Sequence, residues 1–180
     1  MKNKSKGFTL IELLVVIAII GVLASIVLAS LNSARRKSRD ARRITDIKQI
    51  QLALELFFDG QSNQYPLGST TCSLSVAYGL EGLQTNGYIP QVPRDPLSGS
   101  TDATAICYRF ASGVPAGGST RTTYHLSAQL EDSANPAFTG DKDCNSATGS
   151  PACVSGGATY TGQTTDGTTD GTNRQYDVVP

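Results

Sequence analysis

The sequence predicts an α+β chain in which one long N-terminal helix packs its C-terminal half on a small antiparallel sheet. Three observations carry that prediction. A 24-residue run from Phe8 to Leu31 holds a single charge, Glu12. No Pro or Gly interrupts residues 22–59, where Ala, Arg, Lys, Leu and Gln dominate, all good helix formers. Thr122–Leu130 alternates between Tyr124, Leu126, Ala128 and Leu130 on one side and Thr123, His125, Ser127 and Gln129 on the other, the two-residue period of a strand.

Taken in order, the first element is one helix from about Phe8 to Asp59, stopped by Gly60. Its apolar run would extend about 36 Å, enough to cross a hydrocarbon core of roughly 30 Å. Ile47, Ile50, Leu54 and Phe57 recur at steps of three and four, with Phe58 beside them, and mark the face that needs a sheet. The first half of the helix is then expected to protrude as a stalk. Gln61–Thr71 reads as polar loop and Val76–Gln84 as a short helix. Asn86–Pro96, N-G-Y-I-P-Q-V-P-R-D-P, holds three prolines within seven residues, which impose an extended, kinked path. Ala105–Phe110, Thr122–Leu130 and Gln175–Val179 are the strand candidates, with His125 on the solvent side of its strand. Residues 145–174 are rich in Gly, Thr and Ser and read as irregular, exposed decoration.

The formal net charge of zero hides a split: residues 1–48 carry +7 and residues 49–180 carry −7. A basic base and an acidic head suit a membrane-proximal stalk, and suit attraction between copies of the chain. With one His and no accompanying nucleophile–acid set, the composition points away from an enzyme. Cys72, Cys107, Cys144 and Cys153 form no C-x-x-C pair, which argues against a zinc cluster and, in an exported chain, for disulfides. Three pairings exist; Cys72–Cys107 with Cys144–Cys153 is preferred because the second closes a short Gly/Ser-rich loop. The six Lys/Arg from Arg35 to Arg43 lack interleaved aromatics, so nucleic acid is not the expected partner; lipid headgroups or acidic heads of neighbouring copies are.

Glu12 needs an explanation, since an acid in lipid costs about 2.5–3.5 kcal/mol on insertion scales. Lys2, Lys4 and Lys6 precede the run, Gly7 stands before Phe8, and Glu12 follows four residues later. Residues 6–24, K-G-F-T-L-I-E-L-L-V-V-I-A-I-I-G-V-L-A, closely resemble the N-terminus of type IV pilins and of the major pseudopilins of type II secretion. The stretch 88–96 resembles the Tyr-x-Pro-x-x-Pro-x-Asp-Pro segment of the same proteins. The resemblance implies the pilin fold, with residues 1–7 as leader, 8–31 as membrane span and filament core, 32–59 as the amphipathic continuation and 60–180 as the head. It implies cleavage between Gly7 and Phe8 by a prepilin peptidase, methylation of the new Phe8 amine, and pairing of Glu12 with the N-terminus of an adjacent subunit. It further implies extraction from the cytoplasmic membrane by an ATPase-driven assembly machine into a periplasmic or extracellular helical filament. Family members often carry a proline where Ala29 stands, so local helix melting at that point is not expected here.

Calcium is a further expectation by resemblance, since major pseudopilins often hold it in a C-terminal loop. Asp141 and Asp143 are the first candidates and Asp166 and Asp170 the next, although no EF-hand spacing occurs and Asp-Gly is first of all a turn former. No other cofactor is expected. A positive-inside count would put residues 35 onward in the cytoplasm, whereas the resemblance puts them outside. Two other readings of the residues stay open at this point. One is a monomeric membrane-anchored binding protein. The other is a secreted protein cut after Val27-Leu28-Ala29, which would start near Ser30.

Overall fold

The structure is a computed structural model and describes residues 8–68, 79–97, 108–114, 119–140 and 175–180. It has the expected α+β architecture. Helix α1 runs unbroken over Leu10–Gly60, followed by a short α2 at Glu81–Thr85. Three strands follow, β1 at Arg109–Gly113, β2 at Thr123–Gln129 and β3 at Gln175–Val178, with a 3-10 turn at Pro136–Gly140 between the last two. The strands form one antiparallel sheet in the order β1-β2-β3. By contact the chain divides into two units, Met1–Ser38 and Arg39–Pro180.

The first unit holds the part of α1 whose side chains find no cover. Every large apolar residue described from Phe8 to Leu31 is exposed. That stretch is long and apolar enough to cross a membrane. In water such a surface would be strongly unfavourable, so it calls for lipid or another apolar partner.

In the second unit the periodic stripe is the core. Ile47, Ile50 and Leu54 are fully buried, together with Phe110, Tyr124 and Leu126 from the sheet. Pairing of Phe110 with Leu126 and of Leu126 with Val178 aligns one apolar row across all three strands. Tyr65 sits edge-on to Tyr124 at 4.8 Å, and Phe57 edge-on to Tyr88 at 5.5 Å, which closes the end of the core with favourable ring geometry. The proline segment contributes Ile89, Val92 and Asp95, all buried. Their spacing of three keeps all three on the inward side of this segment.

Several expectations are corrected in detail. Gly60 does not stop α1 by a left-handed conformation; Ser62 and Asn63 adopt it, with φ of 56° and 58°. Gly60 instead makes room for a ring, since a Cβ there would lie 2.0 Å from the Tyr88 hydroxyl oxygen and would displace that side chain. The short helix begins at Glu81 and not at Val76, since Gly79 and Leu80 form a turn and residues 76–78 are outside the described residues; it ends in a Schellman motif. Gly87, at φ 78°, donates to Gln84 O and Tyr88 N donates to Leu83 O. Strand β1 lies later than Ala105–Phe110, and residues 105–107 are outside the described residues.

The largest correction concerns His125. It is fully buried, not solvent-facing, as are Ser127 and Asp177 beside it. The His125 Nε2 and an Asp177 carboxylate oxygen lie 2.8 Å apart across β2 and β3. Alternation of polar and apolar residues identified the strand correctly, but a polar row can be buried when its members bond one another.

Candidate functional site

The start of α1 is built by Thr9 and Glu12. Thr9 N donates to Glu12 Oε2 at 2.8 Å, and the Thr9 hydroxyl donates to the same oxygen at 2.7 Å. In return Glu12 N donates to Thr9 Oγ1 at 3.3 Å. This reciprocal arrangement is a capping box, which satisfies two of the backbone donors that a helix start leaves open. In lipid those donors have no water to bond, so the box matters more than at an aqueous surface. The carboxylate also meets the positive end of the helix dipole. Among the described residues, nothing donates to Glu12 Oε1. Sequence reasoning missed Thr9, although T-L-I-E at residues 9–12 is a T-x-x-E signature that would have found it.

Glu12 therefore has a partner within its own chain, and one carboxylate oxygen remains available for another. Phe8 is 86% exposed just before the box, so a cut on its N-terminal side would place an amine beside the carboxylate-bearing turn. Gly7 lies outside the described residues. So do Cys72, Cys107, Cys144 and Cys153, and the calcium candidates Asp141, Asp143, Asp166 and Asp170.

A second polar cluster lies in the head. Arg43 is fully buried and donates through Nε and Nη2 to the two oxygens of Asp95, at 2.6 and 3.1 Å. Its Nη1 donates to Asp40 Oδ1 at 2.7 Å and to Glu131 Oε1 at 2.8 Å. Asp40 in turn accepts the backbone N–H groups of Glu131 and Asp132, each at 2.9 Å. Arg39 forks onto both oxygens of Glu131. One helix side chain thus ties down the proline segment and the turn after β2. Burial works against the Arg43 charge, but the bonds from Asp95 and Glu131 prevail and raise its pKa. The Arg39 bond, with help from Arg43, outweighs burial and holds the Glu131 carboxyl at about 2. Nearby, the Tyr108 hydroxyl donates to Asp46 at 2.6 Å; burial, then that bond, push its pKa up.

The cluster divides the basic run in two. Arg39 and Arg43 serve the head, so the expectation that the whole run meets headgroups or neighbouring heads is corrected. Arg43 is wholly buried because three carboxylates surround it, a pattern that no local charge count reveals. Among the described residues, no group of His, Cys, Asp and Glu forms a metal cluster.

Comparison with known proteins agrees with the start of the chain and extends beyond it. Residues 2–28 match the family described as the prokaryotic N-terminal methylation motif. The chain is 37% identical over 99 residues to the type II secretion system core protein G of Escherichia coli, covering 52% of this chain and 68% of that protein. It is 32% identical over 100 residues to the core protein G of Aeromonas hydrophila, covering 53% and 69%. With the type IV major fimbrial protein FimA of Dichelobacter nodosus it shares 38% identity over 81 residues, covering 44% and 52%. No solved structure matches the chain. On the methylation motif, the long helix with its three-stranded sheet, and these relatives, the chain belongs to the prepilin-type family of type II secretion major pseudopilins and type IV pilins.

Proposed function

We propose that the chain is the structural subunit of a filament, of the type IV pilus or type II secretion pseudopilus kind. A prepilin peptidase cuts between Gly7 and Phe8, the Phe8 amine is methylated, and the head lies outside the cytoplasmic membrane. Assembly machinery in that membrane then stacks the helices of residues 8–31, while residues 60–180 face outward. The observation that carries this reading is the first half of α1, an apolar helix without cover whose single acid sits in a capping box one turn from the cut.

The physics favours polymerisation over a permanent anchor. Lipid solvates the apolar run in the membrane, and the side chains of sister helices replace lipid in a filament. Small residues at Ala24, Ser25 and Ser30 permit close helix approach. The Glu12 oxygen outside the box accepts the Phe8 amine of the next copy. Because a buried charge left without its partner is costly, that pair selects one register. The role is structural and involves no reaction. Two disulfides, Cys72–Cys107 and Cys144–Cys153, and a calcium ion at Asp141 and Asp143 with Asp166 and Asp170, belong to the same proposal for the head.

Intact-mass measurement of protein sheared from cells tests the reading. A chain that starts at methylated Phe8 and is recovered in a sedimenting filament fraction is expected. A chain that starts at Met1 without filaments, or near Ser30, would reject it.

A further inference from the structure

Once the head has taken its share of the basic run, three cations remain. Arg35, Arg36 and Lys37 are exposed, and among the described residues none of them makes a hydrogen bond or an ion pair. By contrast Arg39 is bound to Glu131, Arg43 is buried, and Arg42 lies 3.8 Å from Asp46. No acid stands between Glu12 and Asp40 to neutralise the three. We propose that Arg35, Arg36 and Lys37 form a collar that binds the headgroups of anionic phospholipids in the bilayer that α1 crosses.

The depth fits. Arg35 to Lys37 follow Leu31 by four to six residues, about 6–9 Å along a helix. The headgroup layer on each side of the hydrocarbon is roughly 5–7.5 Å thick, so the three residues stand at its outer edge, and their long side chains reach back into it. The azimuth fits as well. Consecutive helix residues are about 100° apart, which spreads three cations around some 200° of the helix. A single neighbouring protein covers one side of a helix, whereas headgroups surround it. The side chains suit the ligand, since guanidinium groups bond phosphate oxygens in pairs and Lys37 adds a mobile point charge. Both leaflets carry phosphate headgroups, so the collar does not depend on orientation. It rests on the membrane-spanning part of the proposed function and not on polymerisation. Its consequence is that anionic lipid holds the subunit at a set depth, and extraction into a filament must break that hold.

The test uses the full chain, with Lys2→Gln, Lys4→Gln and Lys6→Gln so that the leader lysines add no charge, reconstituted in phosphatidylcholine vesicles, with trace spin-labelled phosphatidylglycerol or phosphatidylcholine as probe. The motionally restricted fraction of each lipid gives their relative association with the helix. Each cation near an anionic surface is worth roughly a fivefold preference, so this chain should favour phosphatidylglycerol several-fold. Arg35→Gln, Arg36→Gln and Lys37→Gln together should remove most of that preference, as should about 1 M salt, where the screening length is about 3 Å. Arg42→Gln, outside the collar, should leave it intact. An unchanged preference in the triple variant would overturn the proposal. Loss of filaments from that variant with lipid preference unchanged would assign the collar to a sister chain and also overturn it. A restricted component absent for both lipids would mean that the helix does not span, a failure of the reading beneath.

Discussion

At the scale of single residues, two charged side chains carry most of the account, and both act through neighbours. Thr9 holds Glu12 in a fixed rotamer at the helix start. Losing an N-cap hydroxyl costs about 1 kcal/mol. Thr9→Ala in micelles should therefore speed amide exchange at Glu12 about fivefold, and Thr9→Ser should restore protection. Arg43 is the counterpart in the head. Arg43→Ala leaves Asp40 and Asp95 buried without their cation, which costs roughly 3–5 kcal/mol. Chemical denaturation followed by tyrosine signal should show that loss. The same cluster predicts an acid response. Glu131 is held at about 2 against an ordinary 4.5, so its contribution is complete above about pH 4.5 and is lost as pH falls toward 2. Melting temperature should drop across that window, and Glu131→Gln should flatten the drop.

At the scale of elements, long periodic signals were legible and compensated polar groups were not. The helix could be read because nothing breaks residues 22–59, and its buried face because Ile47, Ile50, Leu54 and Phe57 keep helical spacing. The alternation of Thr122–Leu130 found β2 but misjudged its polar side. His125 and Asp177 lie 52 residues apart in sequence and meet only after β3 pairs with β2, so neither local pattern contains the other. Arg43 and Asp95 share that difficulty, also 52 positions apart. Thr9 differs, because its T-x-x-E signature with Glu12 is local to residues 9–12. The His125–Asp177 bond ties β3 to the sheet in addition to its backbone ladder and the packing of Tyr176 and Val178 on the core. Removing one partner of a buried bond costs about 1–3 kcal/mol. Asp177→Ala should accordingly raise amide exchange over Gln175–Val178 at least about fivefold, with Ile47–Leu54 little affected.

The whole molecule has a head with a packed core and an N-terminal run that one chain does not cover. Large side chains from Phe8 to Leu31 are 41–86% exposed, whereas Ile47, Ile50 and Leu54 are at 0%. In the proposed function lipid and then sister helices provide the missing cover, and Glu12 selects the register in which the sisters pack. The most direct measurement is filament yield from cells expressing Glu12→Ala, counted by electron microscopy of the sheared fraction, with the cut at Phe8 verified by intact mass. The account predicts a processed, membrane-held subunit and no filaments; filaments at wild-type yield from that variant would contradict it.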